Sequence, residues 1–372
     1  MEVIDTIADY VRASLGGCSP DVLISRPAIE AIENLATALP GALTEFFGFE
    51  CALGSSEGRA DFLICIGAVE GGRAVLAGSH PNVLPAAFDT HWAWQRIRAL
   101  AAEWNNPQSP LYDAVSGLWL EFDMEDRPIA IPVPSVFIGS NHLRRNAQCS
   151  WLTSLVSPIL NGPSATGDEQ RQTIARCLEA LPPSAHIFQA GWMLSRPGSP
   201  MRLCVRGLAT GEIAGFLRAI GCETGTGGIG MLVDSLSPLV ERIDLDLDVA
   251  GQVLPKVGLE FYPAMDPAAV ARLTAWLTGA GYCIPEKASA LQNWFGLAHE
   301  KRHTGIWPRG LLTASQFLRG RAHSTFLRWL HHVKIVMEPD RPPRAKAYLG
   351  VRHAWVDPAA IRRAVDGIAH HA

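Results

Sequence analysis

One supersecondary unit recurs along the chain, a pair of strands joined by a turn and followed by a helix, and it restricts the available folds more than any other feature. The clearest copy begins at Arg242. Residues 243–248 alternate apolar and acidic side chains without a break, Ala250-Gly251 turns, and residues 256–262 alternate again. Period-two alternation places one set of side chains on each face of a strand. A helix then opens at Asp266-Pro267, with Asp as N-cap and Pro at the first helical position. It carries Val270, Leu273, Trp276 and Leu277 on one face and stops near Gly279 to Gly281. The same grammar appears four more times. Residues 46–52 and 61–69 precede a helix over 86–104; 118–123 and 134–139 flank a turn at 125–128 and precede a helix over 169–181. Residues 187–194 and 202–208 precede a helix over 210–220. Residues 333–338 and 344–351 flank a turn at 339–343, and Asp357-Pro358 opens a terminal helix. Further helices are expected over 27–39 and 288–297.

Five pairs make ten strands. In the best of them the apolar face is Ile243, Leu245, Leu247; Val257, Leu259, Phe261; and Val333, Ile335, Met337. The opposite face is Asp244, Asp246, Asp248; Lys256, Glu260, Tyr262; and Lys334, Glu338. Helices cover the first face, so the second either meets water in an open sheet or lines the inside of a barrel. Regular repetition favours closure, which removes both edges, and ten strands close around a chamber instead of a packed plug. The expected class is α+β: five strand-pair-plus-helix units closing into a ten-stranded antiparallel barrel with helices outside, one domain over residues 1–372.

That architecture resembles the aromatic prenyltransferases of the ABBA or PT-barrel family across most of the chain. One local pattern adds to it: Arg344-Ala345-Lys346-Ala347-Tyr348 reads R-x-K-x-Y on a strand, similar to the inward Arg, Lys and Tyr of the fungal indole prenyltransferases. The resemblance implies transfer of an allylic prenyl group from its diphosphate to an aromatic small molecule or a peptide side chain. Such chemistry needs cations to hold the diphosphate and stabilise its departure. It needs aromatic faces to shield the allylic cation from water, and an acid/base group at the acceptor. On the polar strand faces the candidate diphosphate ligands are Arg202, Arg206, Lys256, Lys334, Arg344 and Lys346. Trp119, Tyr262 and Tyr348 are candidate shields, and Glu121, Glu260 and Asp246 candidate bases. Mg2+ is the one cofactor the chemistry admits; no organic cofactor is expected. The chain departs from the family in holding only five tyrosines and more interior acids than a diphosphate clamp needs. A cationic or peptide substrate therefore stays open, as does a barrel that only binds a peptide or hydrophobic ligand.

Composition agrees with an enzyme of this kind. A formal charge of −4 over 372 residues argues against a nucleic-acid partner, whose footprint is basic. No apolar run approaches bilayer length and the acidic N-terminus is unlike a signal peptide, so no membrane association and a cytoplasmic location are expected. The eight cysteines form no C-x-x-C and are read as buried thiols. His299-Glu300-Lys301-Arg302-His303 spells H-E-x-x-H, which on a helix holds zinc in hydrolases; a zinc-dependent hydrolase is accordingly the competing enzyme class. Lys301 and Arg302 between the histidines and the absence of a third ligand at position 309 weigh against it. Residues 225–230 read G-x-G-x-x-G without a surrounding βαβ unit and are expected to be a loop. His331 and His332 are expected to point to opposite faces. Trp92, Trp94, Trp276, Trp294 and Trp329 are placed in helices that pack on the barrel.

Overall fold

The computed structural model describes residues 4–18, 20–68, 71–80, 84–124, 131–143, 150–162, 167–196, 200–222, 226–303 and 305–360, with backbone alone at 141–143 and 226–227. The strands are β1 (Phe46–Ala52), β2 (Ala60–Gly67), β3 (Gly117–Phe122), β4 (Ser135–Leu143), β5 (His186–Trp192) and β6 (Met201–Arg206). They continue with β7 (Arg242–Val249), β8 (Val253–Tyr262), β9 (Gly296–His299), β10 (His323–Glu338) and β11 (Arg341–Val356). Each of β1 to β7 pairs antiparallel with the next, β8 pairs with β10, β10 with β11, and β11 returns to β1. Ten strands thus close into a barrel of the PT type, as the repeat implied. The added strand β9 lies on the end of β10 that projects past β8, pairing Thr325 with His299.

The outward faces make the hydrophobic core. Phe47 and Phe49 of β1, Phe62 of β2, Phe122 of β3, Leu259 and Phe261 of β8 and Ile335 of β10 are fully enclosed beneath the helices. Burying a side chain of this size contributes about 1.5–3 kcal/mol, so the barrel is held from outside and its interior is free to carry polar and aromatic groups around a cavity. The helix Pro267–Gly279 begins where the N-cap signal placed it, with the Asp266 carboxylate accepting from the backbone N–H of Ala268 and Ala269. The two-residue turn between β10 and β11 puts Asp340 at φ 58°, a left-handed conformation that Asp tolerates. No helix among the described residues is long and apolar enough to cross a membrane.

Several local expectations change. The helix expected over 86–104 is two, Ala86–Asp89 and Trp92–Asn105, because His91 caps the second through its ring nitrogen. The glycine-rich segment is a helix, Thr226–Leu236, and not a loop. The helix expected over 288–297 is Pro285–Gln292, and His299 to His303 leave β9 into a turn, so the two histidines do not share a helix face. Trp294 follows that helix, and Trp329 belongs to β10. The turn at 125–128, Gly225, Cys149, His370-His371 and the terminal helix beyond residue 360 lie outside the described residues.

Candidate active site within the barrel

Between bulges, alternate residues of the barrel strands point inward, and these side chains line two adjoining compartments. The larger is a cavity of about 340 Å³. Its wall is mainly aromatic and includes Phe46, Trp119, Phe137, Phe188, Tyr262, His331, His332 and Tyr348. The smaller is a recess of about 40 Å³ walled by Glu50, Asp61, Glu121 and Asp123 against Arg196, Arg202, Lys256, Lys334 and Lys346. Glu121, Arg202, Lys334 and Tyr348 border both.

The recess is a network of ion pairs. Arg202 grips Asp248 through two nitrogens at 2.8 and 3.2 Å, with Asp246 at 3.5 Å. Lys256 lies 3.3 Å from Asp248, and Lys334 pairs with Asp246 and, at 3.5 Å, with Glu260. Lys346 and the Tyr348 hydroxyl donate to Glu50. Burial opposes ionisation of these carboxyls, yet Arg202 holds Asp248, and Lys346 holds Glu50, down to about 2. Glu121 is the contrast. It has no hydrogen bond or ion pair within 4 Å among the described residues, and burial followed by the Glu50 charge pushes it up to about 8. Gly258 makes the Asp246–Lys334 pair possible: a Cβ there would overlap the Asp246 carboxylate and stand 2.7 Å from Lys334 Cε.

The aromatic chamber has its own order. The His332 ring stacks on Tyr348 with centroids 4.1 Å apart, and Tyr262 donates to Glu260 at 2.7 Å. Arg242 lies 3.8 Å over the Tyr262 ring and Arg206 3.8 Å over Phe188, both also bonded to Asp244. Burial lowers His331 to about 4 and His332 well below its ordinary value, so both rings are neutral at pH 7. The two imidazoles therefore add neutral π faces to a wall that also carries Arg206 and Arg242.

Of the residues named from sequence, Trp119, Glu121, Arg202, Arg206, Glu260, Tyr262, Lys334 and Tyr348 line the larger chamber. Lys256 and Lys346 line the recess, and Asp246 lies behind it on Lys334 and Arg202. Arg344 does not join them: its side chain is 56% exposed and bonds Glu338 at 2.9 Å. R-x-K-x-Y therefore runs from solvent at Arg344 to part-buried Lys346 and Tyr348 on the interior wall. Glu50, Asp61, Phe46 and Phe137 were missed. Alternation in β1 carried a signal, since Phe46, Gly48 and Glu50 fall on the face opposite Phe47, Phe49 and Cys51. His331 and His332 contradict the opposite-face expectation, because a bulge between Leu330 and His332 turns both rings into the chamber with their Nδ1 atoms 2.8 Å apart. At H-E-K-R-H, among the described residues no three His, Cys, Asp or Glu converge on a metal position, and His303 instead packs on Trp307.

Comparison with solved structures agrees with the fold. The apo form of the prenyltransferase PriB aligns over 92% of this chain and 94% of its own, at TM-score 0.52 and 14% identity. The ternary complex of PriB with L-tryptophan and dimethylallyl thiolodiphosphate gives TM-score 0.52 at 12% identity over 92% and 94%. A 6-dimethylallyl tryptophan synthase gives 0.51 at 12% identity over 94% and 96%. No family model and no curated protein sequence matches the chain. The class defined is the PT barrel; within it, PriB is a protein whose fold this chain shares nearly end to end.

Proposed function

We propose that the barrel transfers an allylic prenyl group from its diphosphate to an aromatic acceptor. The observation that carries the reading is the adjacency of the two compartments, a cation-lined recess opening into an aromatic chamber across Arg202, Lys334 and Tyr348. PriB, of the same fold, forms a complex with tryptophan and a dimethylallyl thiolodiphosphate. The diphosphate is assigned to Arg202, Lys256, Lys334 and Lys346. Its allylic C–O bond breaks with the electron pair leaving on oxygen, and the cation forms against Tyr348, Tyr262, Trp119 and neutral His332. A ring carbon of the acceptor attacks that cation, and the proton lost on rearomatisation passes to Glu260. Glu121, protonated at neutral pH, serves as a hydrogen-bond donor to the departing diphosphate. The recess meets the diphosphate with nitrogen cations; of its carboxyls Glu50 and Asp123 are bonded to Lys346 and Arg196, Asp61 accepts from the Met124 N–H, and no step is assigned to a metal.

One observation favours a second reading, a barrel that binds without turnover: the recess cations Arg196, Arg202, Lys256, Lys334 and Lys346 are each already within 4 Å of a carboxylate. Incubation with dimethylallyl diphosphate and L-tryptophan, then with other indoles, phenols and naphthols, separates the two. Transfer gives a dimethylallyl adduct by mass spectrometry with release of diphosphate, and both fall at least about a hundredfold in Arg202→Ala. Analogue binding without diphosphate release across the panel supports the second reading.

A further inference from the structure

We propose that the recess takes up its diphosphate together with protons, and that Glu121 and Asp61 are the groups that receive them. The inference rests on the prenyl-transfer reading, because it concerns the seat of that reaction's leaving group. Three consecutive strands each turn a carboxyl into one wall: Glu50 from β1, Asp61 from β2 and Glu121 from β3. Glu50 and Asp61 are direct cross-strand partners, an arrangement in which like charges repel. Asp123 follows on the same wall.

Two of these four are answered. Glu50 receives Lys346 and Tyr348, and Asp123 receives Arg196 at 2.9 Å and Ser195 at 2.9 Å. Asp61 accepts a hydrogen bond from the backbone N–H of Met124 at 2.8 Å and has no ion pair within 4 Å among the described residues. Glu121 has neither. The facing wall brings Arg202 from β6, Lys256 from β8 and Lys334 from β10, but these already hold Asp246 and Asp248 of β7 and Glu260 of β8. His332 of β10, at the inner end, is neutral.

A multiply charged anion entering this recess adds negative charge to a wall whose cations are spent. The wall can lose charge without breaking an ion pair in one way, by protonating the two carboxyls that have none. Burial and the Glu50 charge dispose them to it, raising Glu121 to about 8 and Asp61 to about 6. A bound anion raises both further, because a nearby like charge disfavours the carboxylate. Binding and protonation therefore reinforce each other.

Isothermal titration of the full chain with dimethylallyl thiolodiphosphate, repeated in buffers of different ionisation enthalpy, reads the protons taken up per anion bound. Uptake is expected between pH 7 and 9, with Kd weakening about tenfold per pH unit above pH 8. Glu121→Gln, a neutral isostere, should lose the wild type's roughly tenfold weakening of Kd between pH 8 and 9 and most of the uptake at pH 9. Asp61→Asn makes the corresponding test between pH 6 and 7, and melting curves identify which variants are folded. Wild-type binding without proton uptake, or a folded Glu121→Gln variant with full wild-type uptake at pH 8 to 9, overturns the coupling and leaves prenyl transfer standing. Absence of binding from pH 6 to 9 in the wild type and both variants overturns both.

Discussion

Lys334 stands where the two compartments meet, with Asp246 and Glu260 beside its ammonium and the Tyr348 ring centroid 6.0 Å away. Burial by itself lowers a lysine's pKa, and here Asp246 outweighs it and raises Lys334 above its ordinary value. Two carboxylates pair with this cation, Asp246 also lying 3.5 Å from Arg202. Removing one partner of a buried pair leaves the other charge unsolvated, at a cost of about 3–5 kcal/mol. Lys334→Met is therefore expected to lower the unfolding free energy by that amount in urea titrations. Adding Asp246→Asn should recover at least about 1 kcal/mol by removing one of the stranded charges. Neither variant should regain affinity for dimethylallyl thiolodiphosphate, which separates the lysine's part in folding from its part in seating the anion. A single variant as stable as the wild type would show that Asp246 and Glu260 do not rely on Lys334.

At the scale of elements, alternation is legible only while its phase holds. In β7 and β8 no irregularity interrupts residues 256–262, and every inward residue named from the pattern faces the interior. In β10 the outward positions are Phe326 and Leu330 before the bulge, and Val333 and Ile335 after it. The phase shifts by one residue, so residues 323–332 match no single period and that half of the strand went unread. The strand β9 was hidden differently: four residues, Gly296–His299, are too few to show a period. Arg344 marks a third limit, since alternation gives the face of a side chain and not its depth along the barrel. Glycine adds what period cannot. Gly258 breaks the polar face of β8, and the close approach of Asp246 and Lys334 explains it. Gly258→Ala should displace that pair, costing about 1–3 kcal/mol in urea unfolding and abolishing the thermal shift given by the thiolodiphosphate. An alanine variant with wild-type stability and an unchanged shift would mean that the pair moves aside freely.

For the whole molecule, a closed interior ties stability to pH through two opposed sets of groups. Burial holds His331 and His353 near 4 and lowers His332 well below its ordinary value, whereas in the unfolded chain histidine protonates near pH 6.5. Their depressed values contribute stability that is present above about pH 6.5 and lost as pH falls towards 4. Glu121 and Asp61 work the other way. Their values of about 8 and about 6 lie above those of unfolded carboxyls, so the stability they carry is complete below about pH 4 and lost as pH rises through 6 and then 8. Between pH 5 and 6 three imidazoles outweigh two carboxyls, and stability climbs with pH. Above about pH 7 the unfolded imidazoles are mostly neutral and Glu121 still differs between the states, joined above about pH 8 by the buried thiols of Cys51, Cys177 and Cys283, which burial holds at about 11 to 12, and stability declines. A maximum near pH 7 follows, and denaturant titrations from pH 4 to 9 measure it. Below about pH 4 the loss steepens, because Glu50 and Asp248, held near 2 by Lys346 and Arg202 against burial, must then be protonated. Glu121→Gln should flatten the alkaline limb alone, raising stability at pH 8 by an amount on the order of a few kcal/mol and leaving it unchanged at pH 4. A decline between about pH 7 and 8 that survives this substitution would place the titrating carboxyl elsewhere in the barrel. The near-neutral composition of the chain gives no sign of this behaviour, because it averages an outer shell that meets water with an inner wall where the same residue types titrate far from their ordinary values.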